Sequence, residues 1–245
     1  MSESGDKKNL GNFRTLIEEC AADSGYNPKN SSLKVPALNA QYSAADTAVH
    51  AVAAARAQNK LAITVRESTF TAMRRLVVRS RNYLKASGAE ADIVDDAAEF
   101  VRKLRGGTRK PKAAGAGTTG GTTTPAVTTP SHSTSQMSFD NQRGNFQSYL
   151  EIVRHITEYD PNEADLKLTS MDSLADDLLT ANNSVSITQA TLDQARGTRD
   201  RLLYLDNNSV VNTALMVKNY VQAALGTDSQ LYKQIKGLQF TGGSR

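Results

Sequence analysis

The chain has no tryptophan, a single cysteine and no run of 18 apolar residues. Each shortage excludes something. Lone Cys20 rules out an intramolecular disulfide and fits a reducing compartment. Without a long apolar run there is no candidate membrane-spanning helix. The opening Met1-Ser-Glu-Ser-Gly-Asp-Lys-Lys lacks the hydrophobic centre of a secretory signal, so a cytoplasmic protein is expected. With aromatic residues at 6% and apolar residues at 39%, any core must be built from Leu, Val, Ile, Ala and a few Phe and Tyr. Alanine-rich interiors suit close-packed helices, and no segment alternates with period two strongly enough to argue for a sheet.

Catalytic constellations are lacking as well. The histidines His50, His132 and His155 have no Cys or His at metal-ligand spacing. His50 follows Asp46 by one helical turn, the spacing of a surface pair. Cys20 falls on an apolar stripe, where a buried, inert thiol is expected rather than a nucleophile. The glycine-rich Gly115 to Gly121 lacks the Lys-Ser/Thr of a phosphate loop and follows no strand. Asp95-Asp96 and Asp176-Asp177 read as solvated helix faces, because the inward Glu and Glu-x-x-His of a di-iron bundle are absent. The expectation is a non-enzyme with no cofactor, no metal and no small-molecule substrate.

What is present is an internal repeat around a low-complexity stretch. From about Gly106 to Ser138 the chain is almost wholly Gly, Ala, Thr, Pro and Ser, a composition too poor in apolar surface to offset its ordering entropy. Offsetting the chain by 133 positions lays Gly11-Asn12-Phe13 on Gly144-Asn145-Phe146, Tyr26-x-Pro28 on Tyr159-x-Pro161, and Leu33-Lys34 on Leu166-Lys167. That is 8 identities in 25 positions, against roughly 1 to 2 expected from average residue usage. Small shifts then bring Asn82-Tyr83 onto Asn219-Tyr220. The predicted organisation is all-α, with two tandem antiparallel four-helix bundles at 1–109 and 139–245 joined by a flexible linker at 110–138. Each bundle should fold independently.

Local patterns predict the helices. Phe13, Leu16, Ile17 and Cys20 stand at i, i+3, i+4, i+7, and Phe146, Tyr149, Leu150 and Val153 repeat the stripe. Between Val35 and Ser87 there is no glycine, and the only proline is Pro36, where a helix tolerates it. An unbroken helix there is too long for a small bundle, so a break is expected between Arg66 and Arg75. In the second half the break is expected at Asp206-Asn207-Asn208-Ser209, a cluster of turn and N-cap residues. Gly88 and Gly226 are placed as left-handed helix stops. Ile93, Ala97, Phe100, Val101 and Leu104 then line a last helix, as do Leu231, Ile235 and Leu238 after Asp228-Ser229.

The second half ends on Lys218-Asn219-Tyr220-Val221, Gly226 and then Ser229-Gln-Leu-Tyr232-Lys-Gln-Ile235-Lys-Gly237. This pattern resembles a set of bacterial all-helical proteins of unassigned function, and Gly106-Gly107-Thr108-Arg109 is similar to another ending in that group. The resemblance covers about a third of each half and implies a helical fold with no activity and no ligand. The first half departs from it, with Val101 near the expected Tyr.

Charge separates the halves. Residues 1–113 carry 19 Lys+Arg against 12 Asp+Glu, a net +7, whereas 114–245 carry 10 against 13, a net −3. On a helical wheel Arg74, Arg81 and Lys85 form a stripe opposite Phe70, Met73 and Val77, with Arg75 and Arg79 further round. The second half has Asn207, Asn208, Asn212 and Gln222 where the first has Arg74, Arg75, Arg79 and Lys85. Uncharged Asn keeps a helix face soluble equally well, so the fold does not require these cations. With Arg105, Arg109, Lys110 and Lys112 following, they read either as a solvated face that keeps the helix soluble or as a candidate site for an acidic partner. A protein partner or self-association is expected, with nucleic acid as the alternative.

Overall fold

The computed structural model describes residues 3–106 and 137–242. Most of the predicted linker at 110–138 lies outside them, but Ser138 is the N-cap of a helix, accepting a hydrogen bond from Asn141 N. The described residues form α-helices and short helical turns, with no strand among them. The α-helices are α1 (Glu3–Ala22), α2 (Val35–Ala86), α3 (Ala91–Leu104), α4 (Phe139–Arg154), α5 (Leu168–Asp200), α6 (Val210–Leu225) and α7 (Gln230–Ile235). A π-helical turn, Arg201–Leu205, continues α5. Among these residues no helix is long and apolar enough to cross a membrane.

Several expected boundaries hold. Gly88 and Gly226 take positive φ, 88° and 82°, which only glycine adopts without strain, although Gly226 with ψ of 165° lies outside the left-handed helical region. Ser209 caps α6 through Asn212 N and Ser229 caps α7 through Tyr232 N. Of the last helix in the first half, Ala97, Val101 and Leu104 are buried, while Ile93 and Phe100 are half-buried and Val94 takes an inner place.

The expected break in α2 does not occur. The helix runs unbroken for 52 residues, about 78 Å at 1.5 Å per residue. Nothing between Arg66 and Arg75 stops it: there is no Gly or Pro, and Phe70, Met73 and Val77 carry the apolar stripe straight through. The two ends of so long a helix cannot share one small core.

The consequence is a different division of the chain. One compact unit comprises Met1–Leu61 and Ser186–Arg245; the other comprises Ala62–Val185. The first unit's core sets Phe13, Leu16, Ile17 and Leu38 against Leu203, Val210, Val217 and Ile235. The second sets Phe70, Met73, Val77 and Leu104 against Phe146, Tyr149, Leu150 and Met171. Each core therefore takes residues from both halves of the sequence. This corrects the expectation of self-contained bundles at 1–109 and 139–245, because neither half encloses its own apolar stripes.

Equivalent positions nonetheless make equivalent contacts. Tyr26 donates its hydroxyl to Leu33 O at 2.6 Å, and Tyr159 donates to Leu166 O at 2.8 Å. Tyr26 meets Tyr220 edge-on at 5.5 Å, and Tyr83 meets Tyr159 edge-on at 5.3 Å. In each unit the tyrosine of the Tyr-x-Pro turn of one half packs on the tyrosine of the Asn-Tyr pair of the other.

Candidate arginine-lined interface

The five cations predicted as a site all lie on α2 within the second unit, but the fold does not treat them alike. Met73 and Val77 point into the core, which leaves Arg74 and Arg81 half-buried beside them and Arg75, Arg79 and Lys85 exposed. Arg74 Nη1 donates to Gln142 Oε1 at 2.7 Å and its Nη2 donates to Thr71 Oγ1 at 2.9 Å. Arg79 pairs with Asp165, its Nη2 lying 3.3 Å from Oδ1. So the acidic partner of Arg79 is the second half of the chain itself.

The α3 C-terminus adds to the cluster. Arg105 stands in the C-cap position of α3, and with Arg74, Arg75, Arg79, Thr71 and Val78 it lines a groove of about 500 Å³. Four guanidinium groups and no carboxylate make this lining. Arg81, Arg102 and Arg105 line a second groove of about 440 Å³. Arg81 Nε is buried without a hydrogen-bond partner among the described residues. Lys85 lines neither groove. On the other flank Arg75 and Arg79 share a third groove with Asp165, Ser170, Ser173 and Asp177, where opposite charges face each other. The structure thus brings together Arg74, Arg75, Arg79 and Arg105, sets Arg81 next to them, and leaves Lys85 apart. Arg109, Lys110 and Lys112 lie outside the described residues.

Cys20 is buried and its thiol is pushed up to about 12, chiefly by burial. His50 Nε2 lies 3.7 Å from Asp46 Oδ1 on an exposed face, and His155 caps the end of α4. No cluster of three or more His, Cys, Asp or Glu side chains suited to a metal occurs among the described residues. No known protein family, curated protein or solved structure matches this chain.

Sequence reasoning missed the partners of the basic face. Asp165 and Gln142 carry no local signal, because their role depends on which half packs against α2. It also missed a buried network in the first unit. There Arg199 Nη1 lies 3.2 Å from Asp6 Oδ2, and Tyr204 donates to Asp6 Oδ1 at 2.6 Å.

Proposed function

We propose that this is a non-catalytic, all-helical interaction protein, built from two copies of one helical module, that holds an acidic protein segment in the arginine groove of its second unit. One observation carries the reading: the groove formed by Arg74, Arg75, Arg79 and Arg105 has no carboxylate in its lining. Guanidinium groups grip carboxylates through paired N–H donors, and a concave lining of them favours an extended acidic chain. The duplication is supported by the 133-residue offset and by the twice-made Tyr26 and Tyr159 hydrogen bonds. The resemblance to bacterial all-helical proteins is in keeping with it and implies no ligand.

A second reading, nucleic-acid association, is favoured by the adjoining groove of Arg81, Arg102 and Arg105, which extends the cationic surface. No aromatic side chain lines either groove, so base stacking is not on offer and any sequence preference is weak.

The test is titration of the full chain with a Glu-rich peptide and with duplex and single-stranded DNA, with and without Arg75→Asn/Arg105→Asn. The expected result is salt-sensitive peptide binding that weakens about tenfold in the variant, the scale of lost charge-assisted hydrogen bonds. Tighter binding of DNA, with affinity falling steeply as salt rises, transfers the assignment to nucleic acid. Equal weak binding by both proteins leaves only a solvated face and overturns both readings.

A further inference from the structure

The contacts between the two halves of the chain follow a pattern that neither the duplication nor the arginine groove accounts for. Each core draws buried residues from both halves. Reciprocal packing of like segments, with each contact made twice, is the arrangement of a two-fold dimer. Here the two segments are joined in one chain. If they were interchangeable, either could pair with its own kind.

The buried polar contacts say otherwise. Ser80 is wholly buried, and its hydroxyl lies 2.7 Å from the Tyr149 hydroxyl and 2.8 Å from the Tyr159 hydroxyl. Tyr159 has a counterpart in Tyr26, but Tyr149 stands where the first half has Leu16. Pairing the first half with its own kind leaves Ser80 one tyrosine hydroxyl, that of Tyr26, and sets Leu16 where Tyr149 stood. Val217 precedes Tyr220 by three positions, as Ser80 precedes Tyr83. Pairing the second half with its own kind buries the Tyr149 hydroxyl against that valine. A similar match sits in the first unit. Gln41 Nε2 donates to Asn208 O at 2.6 Å and to Thr213 Oγ1 at 3.2 Å, and the position equivalent to Gln41 is Leu174. Both units thus contain a polar pair that only unlike halves complete.

We infer that the surface between the halves is a heterotypic interface, whose occupant is the opposite half of the same chain. Ser80 with Tyr149, and Gln41 with Thr213, select unlike over like pairing. A buried hydroxyl left without its partner weakens association about tenfold, and pairing the second half with itself incurs that loss at Tyr149. Charge adds to the selection, since Arg79 meets Asp165 only across unlike halves and the position equivalent to Asp165 is the neutral Ser32. The comparison with like pairing rests on the duplication proposed above, whereas the sharing of each core by both halves does not.

The experiment uses the full chain with a protease site inserted between Gly120 and Gly121. The native protein is cleaved and weighed by native mass spectrometry, then mixed with the same cleaved protein labelled with nitrogen-15 and re-equilibrated from denaturant. The expected products are one-to-one complexes of unlike fragments, with label exchanged between them and like pairs below one tenth of unlike pairs. Fragments that part as folded monomers overturn the interface. Like and unlike pairs in the statistical ratio of 1:2:1, the proportion for random pairing of about equal fragments, overturn the selectivity while leaving the interface standing. A second sample carries Ser80→Ala/Tyr149→Phe, conservative changes that leave the apolar packing in place. Its preference for unlike pairs should fall about tenfold; an unchanged preference removes the role assigned to those two hydroxyls. Neither measurement involves an acidic ligand, so failure of the arginine groove leaves this result intact.

Discussion

The two units solve the same local problem with different chemistry. In the first, Arg199 and Asp6 form an ion pair with side chains 7% and 2% exposed. Arg199 Nε and Nη2 also donate to Asp200, and the second oxygen of Asp6 is taken by Tyr204. Asn9 extends the network to the C-terminal segment, exchanging hydrogen bonds with the backbone of Thr241. In the second unit the equivalent positions are Arg66 and Phe139, and the guanidinium lies over the ring, 4.0 Å from its centroid. Arg66 Nε is buried without a hydrogen-bond partner among the described residues. A planar, weakly hydrated cation can be held by a carboxylate or by an aromatic face. In the first unit both Asp6 oxygens and the Arg199 Nε are answered, whereas Arg66 Nε in the second is not. The same guanidinium position is thus closed by an ion pair in the first unit and by an aromatic face in the second.

The largest expected effect acts on both units together. Burial is the leading cause of raised values for Tyr26 and Tyr204 in the first unit and for Tyr149 and Tyr159 in the second. Cys20 in the first unit is pushed up to about 12 from an ordinary value near 8.5. A group whose folded pKa exceeds its unfolded value contributes stability that is fully present below the unfolded pKa and lost as pH rises through the folded one. Stability should therefore be flat up to about pH 8.5 and fall steeply above about pH 10, where unfolded tyrosines ionise. Helical circular dichroism across an alkaline titration reads this directly. One unit outlasting the other by two pH units would break the likeness of their tyrosine environments.

Mutating the equivalent positions comes next. Asp6→Ala leaves Arg199 buried with Asp200 alone, and we expect a loss of about 3 kcal/mol in urea unfolding. Phe139→Ala removes the ring that carries Arg66 and stacks edge-on with Phe70 at 4.8 Å. Phe139 is only half-buried, and the loss should be about 1 to 2 kcal/mol. A larger loss from Phe139→Ala than from Asp6→Ala reverses the ranking of the two solutions.

Cys20→Val tests a milder asymmetry, since Val153 already occupies the equivalent place. Both residues are buried on the same stripe, and a near-isosteric exchange should cost less than about 1.5 kcal/mol. Rapid alkylation of native Cys20 at pH 8 would contradict its burial.

These pairs also show what was legible in the sequence. The stripe from Phe13 to Cys20, the turns at Gly88 and Gly226 and the cap at Ser209 are local, set by side chains within one helical turn of where they act. The helix break was legible in the second half, where Asp206 to Ser209 supply a cap, and was wrongly expected in the first. There the argument came from length alone, and Met73, Arg74, Arg75 and Leu76 give no reason to stop. Length argued correctly that one small core cannot hold 52 helical residues. It did not reveal that the answer was two cores. Which half packs on which is not local at all: Phe13 and Phe146 carry the same pattern, and either satisfies a wheel. The arginines were legible as a charged stripe opposite Phe70, Met73 and Val77. Their partners Gln142 and Asp165 were not, because only the exchange of halves brings them near α2.

The smallest expected effect concerns Arg79, and it separates the stability of the groove from its use. The Arg79 and Asp165 side chains are 54% and 51% exposed. An ion pair in that setting is screened by water and salt and spends side-chain entropy to hold its geometry. Arg79→Ala should therefore cost less than about 1 kcal/mol in unfolding, and Asp165→Ala no more. The two changes part company in binding. Losing Arg79 removes one of four cations from the groove, whereas losing Asp165 frees Arg79 from its internal partner and should tighten an acidic peptide by a few-fold. Opposite shifts in peptide affinity, at nearly equal stability, mean that the second half's acidic residues temper the groove as well as closing the fold. If both variants weaken the peptide alike, Arg79 acts only in concert with Asp165, and the groove's cations reduce to Arg74, Arg75 and Arg105.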